Sequence, residues 1–193
     1  MAPKIKFTKE QIIQAAFEIA EIHGIESITI RKVADHIGSS IAPIYVNFNN
    51  VRELKEAVLQ KTIAIGHQLI KAQQTGSTFM DIGIASLKFA REYPVFFRDV
   101  HLKPNKNKSE YNESLGDDLI EQLKKDPELQ GFTNEELQDM LLKMRIFQTG
   151  LSTMIANNQL SPDINEKEAI RLLQTMGEDL IIGTHIRKEN KNE

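Results

Sequence analysis

The chain has no cysteine among its 193 residues. That absence excludes a disulfide scaffold, a thiolate nucleophile and cysteine-ligated zinc, and it fits a reducing, cytoplasmic setting. No stretch of eighteen apolar residues occurs, so no membrane span is expected. Lys4 and Lys6 are followed by no apolar run, so no secretory leader is expected either. Sustained period-2 alternation is missing and valines are few, which argues against sheet. The five histidines, His23, His36, His67, His101 and His185, include no pair three to five residues apart, so no metal site is expected. Asp117-Asp118 reads as charge near a helix start, and neither a Gly-rich phosphate loop nor a G-x-S-x-G elbow is present. A protein that is not an enzyme and needs no cofactor is the expectation.

Basic excess is lacking too. Net charge is −3, and residues 1–60 balance Lys4, Lys6, Lys9, Arg31, Lys32, Arg52 and Lys55 against seven carboxylates. A nucleic-acid footprint would therefore have to come from placement and not from bulk charge.

Helix signals, by contrast, recur along the chain. Phe7-Thr8-Lys9-Glu10-Gln11-Ile12 combines an N-cap, a capping box and a hydrophobic staple, and Gly24 supplies the stop, giving a helix over 9–23. Thr29 caps a second helix over 30–37, with Ile30, Val33, Ala34 and Ile37 inward and Gly38 at the turn. Ser40 is the expected cap of a very short third helix, which places Pro43 in its first turn where no N–H is needed. Asn50-Val51-Arg52-Glu53 opens a fourth helix running to about Gln74, and 78–92 form a fifth. Pro94 starts a short helix to about Leu102, a solvated loop covers 103–109, and 113–125 form another helix. Phe132-Thr133-Asn134-Glu135-Glu136-Leu137 repeats the first motif and opens a long helix to about Asn157. Asn165 with Glu168 starts the last helix, to about Lys188. The expected fold class is all-α.

The third helix is too short to sustain itself by its own burial. Its expected task lies on its outer face, as for the second helix of a helix-turn-helix unit lying in a DNA major groove. Ser39, Ser40, Ile41, Ala42 and Pro43, with Asn47, are the candidates for base edges, because hydroxyls and amides pair there and apolar groups meet thymine methyls. Thr29, Arg31, Tyr45 and Arg52 are the candidates for the phosphate backbone. Ile44 and Phe48 are expected to seat the helix on the core.

Residues 7–59 resemble the N-terminal domain of the tetracycline-repressor (TetR/AcrR-type) transcriptional regulators. The features that match are Phe7-Thr8, Ala15-Ala16 followed by Gly24, Thr29 ahead of Val33-Ala34, Gly38 and Ser40, Ile44-Tyr45 with Phe48, and Glu53-Leu54. Val51 stands where that family usually carries a phosphate-directed lysine, and Arg52 beside it is the substitute. Ala42-Pro43 replaces a more usual glycine-threonine type of pair. The resemblance implies a helix-turn-helix head over 1–49 and a C-terminal effector-binding and dimerising domain over 50–193, with the fourth helix as connector. It also implies a homodimer on a palindromic double-stranded operator, and repression relieved by a small-molecule effector.

For that effector, Phe89, Tyr93, Phe96, Phe97, Met140, Met144 and Phe147 are large apolar residues that helical packing would gather, with His67, His101 and Gln148 as polar contacts. Such a lining suits an apolar or aromatic molecule. The dimer is expected to form through Leu151 and Met154 of the long helix and Leu173, Met176, Leu180 and Ile181 of the last. Two other readings stay open: a regulator with a filled core and no small-molecule pocket, and a helical protein-interaction module whose neutral head no longer binds DNA.

Overall fold

The computed structural model describes residues 7–102, 120, 123–126 and 129–190. The loop expected at 103–109 and most of the helix expected at 113–125 lie outside the described residues. The protein is all-α. Among the described residues eight α-helices are numbered α1 to α8: α1 Lys9–His23, α2 Ile30–His36, α3 Ala42–Asn47, α4 Val51–Lys71, α5 Thr78–Glu92, α6 Pro94–Phe97, α7 Asn134–Ala156 and α8 Glu166–Glu189. No helix among the described residues is long and apolar enough to cross a membrane.

Two compact units divide the chain. Unit one comprises Met1–His67 and Tyr93–Lys103, and unit two Gln68–Glu92 and Pro104–Glu193. The chain therefore passes from one unit to the other within α4, and α6 belongs to the same unit as α1 to α3 although about fifty residues separate α6 from α3.

In unit one, local chemistry sets the helix ends. Thr8 Oγ1 accepts the Gln11 N–H at 3.2 Å and Gln11 Oε1 accepts the Thr8 N–H at 2.9 Å, a complete capping box. Thr29 Oγ1 accepts from Lys32 N–H at 3.2 Å and starts α2. At α4 the box is shifted by one residue: Asn50 Oδ1 accepts the Glu53 N–H at 3.0 Å, but Glu53 returns its carboxylate to the Asn49 N–H at 2.9 Å. Ile12, Val33, Ala34, Ile44, Phe48, Leu54 and Val58 form the buried centre. Glu18 on α1 meets the His36 ring on α2 at 2.7 Å.

The segment that begins at α6 completes this unit. Phe96 and Phe97 are fully buried, and the Phe96 ring lies 4.8 Å from that of Phe17 in α1. Instead of one helix over 94–102, α6 gives way to a π-helical turn over Arg98–Leu102. From that turn Asp99 Oδ2 accepts the Ile25 N–H at 2.7 Å, just after α1 ends. Gly24, the stop of α1, has φ +85° and ψ 160°, a conformation close to glycine-only. A Cβ there would stand 2.8 Å from Asp99 Oδ2. Gly24→Ala is therefore expected to destabilise unit one by about 1–3 kcal/mol from backbone strain alone. Denaturant unfolding measures this, and an unchanged midpoint would show that the turn relaxes freely.

Unit two is built on α5, α7 and α8. Gly83 of α5 lets Leu173 of α8 approach so closely that a Cβ would meet Leu173 Cδ2 at 2.7 Å. Ser86 and Ser152 hydroxyls face each other at 3.3 Å between α5 and α7. A second cluster of Ile120, Leu123, Leu129, Phe132, Leu137 and Met140 closes the unit near the start of α7. Thr133 and Glu136 form the second capping box, and Asn165 Oδ1 accepts from Glu168 N–H at 3.1 Å to begin α8. Among the described residues no buried side-chain polar atom lacks a hydrogen-bond partner.

Candidate nucleic-acid interface

The turn between α2 and α3 is closed by Gly38 N–H to Asp35 C=O at 3.1 Å and Ser39 N–H to Ala34 C=O at 2.9 Å. Ser40 does not cap α3. The cap is Ile41, in the right-handed region with no side-chain bond, and its carbonyl accepts from Ile44 N–H at 3.2 Å and Tyr45 N–H at 3.3 Å. Pro43 still falls in the first turn, where its missing N–H costs nothing. Starting α3 from a helical Ile41 leaves the Ser40 hydroxyl exposed.

Two residues seat α3, Ile44 at 0% exposure and Phe48 at 1%, four apart on one side. Ile41, Ala42 and Tyr45 are exposed, and Ser39 and Pro43 are half-buried at the edge. Asn47 is half-buried and donates its amide Nδ2 to Pro43 C=O at 2.9 Å, so part of its hydrogen-bonding capacity is used within its own helix. Sequence reasoning missed Val46, which is 84% exposed. Its signal was available: Val46 follows Ala42 by four residues and so shares the outward face.

The flanking cations divide into two groups. Arg31 and Lys32 are exposed at the start of α2, and Lys32 was not singled out from the sequence. Lys9 lies over the Phe48 ring at 5.1 Å, and Lys55 is paired with Glu26 at 2.6 Å. Arg52, on the first turn of α4, pairs with Glu56 at 3.5 Å, although 85% of its side chain is exposed. Thr29 spends its hydroxyl as the α2 cap while staying exposed. The Asn49 N–H bonded to Glu53 holds that carboxyl below its ordinary pKa, so it is charged at neutral pH at the start of α4. Residues 36–52, by contrast, include no carboxylate in a chain that has 27.

The residues expected around an effector are distributed between the units. Phe89 and Met144 are buried in unit two, with Phe147 and Gln148 half-buried. His67 is exposed, Tyr93 half-buried and Phe97 buried, all in unit one, while the His101 side chain lies outside the described residues. A pocket of about 240 Å³ occurs wholly within unit two, at Met80, Leu123, Leu129, Met140 and Ile181, with Asp126, Gln174 and Glu178 among its polar lining. Of the residues singled out from the sequence for an effector, it includes Met140 alone.

Of the residues expected in a dimer contact, Leu151 and Leu173 are buried inside their own subunit, Met176, Leu180 and Ile181 are half-buried, and Met154 is 42% exposed. The apolar side chains that α7 and α8 leave exposed are Leu142, Ile146 and Met154 on the first and Ile182 and Ile186 on the second. Among the described residues no group of three acidic or histidine side chains could hold a metal ion.

No protein-family model matches the chain. A stretch of 62 residues, 32% of this chain, is 31% identical to tetracycline repressor protein class C of Escherichia coli. That match spans only 28% of the length of the repressor. Solved structures agree over nearly the whole chain. A TetR-like transcriptional regulator from Rhodococcus sp. RHA1 superposes with a TM-score of 0.67 at 13% identity, covering 95% of this chain and 99% of that one. TetR from Acinetobacter baumannii AYE gives 0.58 at 17% identity, covering 93% and 97%. A variant of the latter was solved with minocycline. These likenesses show the fold, which over 93–95% of the chain is that of TetR-like regulators.

Proposed function

We propose that this chain, built on the fold of TetR-like transcriptional regulators, is a sequence-specific DNA-binding regulator that acts as a homodimer. Support comes from α3, a six-residue helix anchored by Ile44 and Phe48 that leaves Ile41, Ala42, Tyr45 and Val46 outside. In a helix-turn-helix that face enters the major groove while the preceding helix crosses the backbone. Arg31, Lys32, Arg52 and the Tyr45 hydroxyl supply phosphate contacts around it, and Ser39 and Ser40 hydroxyls supply base-edge contacts. A twofold dimer sets two such helices about 34 Å apart, one DNA turn, so the operator is palindromic.

Dimerisation uses the exposed apolar residues of α7 and α8, which are costly to leave in water on two adjacent long helices. The effector occupies unit two. The pocket beside Met80, Leu123 and Met140 favours a small molecule with an apolar body, and Asp126 and Glu178 favour a donor or cationic group at one end. Such a molecule relieves repression only to the extent that it binds the DNA-free arrangement more tightly than the DNA-bound one.

Mobility shifts on the DNA upstream of the gene test the core of this. Affinity should fall steeply with salt as phosphate contacts release counterions. Tyr45→Phe should weaken binding about tenfold, the worth of one hydrogen bond to a charged group at ~1.5 kcal/mol, without unfolding the protein. Unchanged affinity would show that the hydroxyl is idle.

A further inference from the structure

The outward face of α3 has an unusual chemistry for a surface that is to read bases. Direct readout in the major groove relies on arginine or lysine for guanine, asparagine or glutamine for adenine, carboxylates for cytosine, and apolar groups for the thymine methyl. Residues 39–48 hold no arginine, lysine, glutamine or carboxylate, and their one amide, Asn47, is half-buried and bonded to Pro43 C=O. What α3 presents outward is Ile41 at 45% exposure, Ala42, Tyr45 at 53% and Val46 at 84%.

Val46 has no role in building the head. At 84% exposure it buries almost nothing in the subunit, and as a β-branched residue in a short helix it adds no helix propensity. Ala42 and Val46 are separated by one helical turn, about 6 Å along the axis, close to two base steps at ~3.4 Å each. The patch lies within the carboxylate-free stretch 36–52, with Arg31 and Lys32 shortly before that stretch and Arg52 at its end, so the local charge of the segment complements a polyanion. An apolar face in a segment free of carboxylates, with cations flanking it in sequence, suits a groove edged by phosphates and floored by methyl groups.

We infer that α3 reads its half-site through thymine 5-methyl groups, with Val46 the main specificity-determining residue and Ile41 and Ala42 flanking it. This rests on the DNA-binding function proposed above and names what that interface recognises. Guanine is read poorly by this helix, because nothing on it donates twice to O6 and N7. The sites it selects carry thymines facing α3, two base steps apart.

Selection from a pool of duplexes with a randomised core, using the full-length protein at low salt, identifies the preferred half-site. Each enriched thymine is then replaced by deoxyuridine, which removes the methyl and keeps every hydrogen-bonding group. Loss of about fourfold in affinity is expected at a thymine facing Val46, the worth of one buried methyl-sized group. Val46→Ala, an exposed change that leaves the core intact, should bring the thymine-to-uracil ratio at that position close to one. Equal affinity of the unaltered protein for thymine and uracil duplexes at every enriched position, with the half-site still selected, would overturn methyl readout and leave DNA binding standing. A pool that yields no enriched sequence would instead remove the DNA-binding function itself, and methyl readout with it.

Discussion

Replacing Phe96 with alanine is expected to destabilise unit one by about 3–5 kcal/mol, the usual cost of emptying a buried aromatic site. Phe96 has no exposed surface, and its ring lies 4.8 Å from Phe17 and 6.5 Å from Tyr93. Phe17 in turn carries the Tyr93 ring edge-on at 6.1 Å and the Lys61 ammonium at 5.3 Å from its ring centre. The resulting cavity cannot collapse readily. Its walls are α1, held at both ends by Thr8 and Gly24, and the turn that places Asp99 on the Ile25 N–H. Phe96→Leu should recover part of the loss by refilling volume. Chemical denaturation of the two variants measures both numbers. A loss below about 1 kcal/mol for the alanine variant would mean that α6 is not part of the cooperative unit containing α1 to α3.

Charging the exposed rows of the two long helices should have the larger functional effect. The double substitution Ile146→Glu with Ile182→Glu is expected to yield a monomer, because it would place four carboxylates in the proposed twofold contact. Both positions are more than half exposed, Ile146 at 64% and Ile182 at 57%, so the subunit itself should fold normally. Operator affinity should fall by about a hundredfold or more, since each head then binds its half-site without the effective concentration supplied by its partner. Light scattering and mobility shifts on the same preparation test the two steps together. A variant that remains dimeric would place the contact elsewhere on the molecule. One that is monomeric yet keeps full affinity would show that a single head carries the binding. Leu151→Glu would not serve as this test, because Leu151 is at 7% exposure and its loss damages the subunit core first.

Much of the architecture could be read locally. Thr8 with Gln11 and Thr133 with Glu136 close both capping boxes that their spacing announced, and Thr29, Asn50 and Asn165 cap the helices assigned to them. These bonds join residues three apart, so the interacting partners are adjacent in sequence and no tertiary knowledge is needed to pair them. The same logic places Ile44 and Phe48 inward and Ala42 and Tyr45 outward. It also makes Val46 an outward residue, by its four-residue spacing from Ala42.

Other features escape any local rule. Ser40 was a chemically better cap than Ile41, yet the turn after Gly38 brings Ile41 into helical backbone and leaves Ser40 outside it. The α4 box returns to Asn49 rather than Asn50 because the carboxylate follows the geometry of the incoming chain. Phe17 and Phe96 lie far apart in sequence, as do Ile25 and Asp99.

The all-α class, the long helices and their threonine and asparagine caps are consequences of sequence alone, because they depend on contacts within one or two turns of chain. The tertiary structure alone decided which apolar faces of α7 and α8 are packed and which remain exposed, and that α6 joins the unit of α1 to α3. Helices this long carry apolar residues on more than one side, so burial is assigned only when a neighbour distant in sequence occupies one of them.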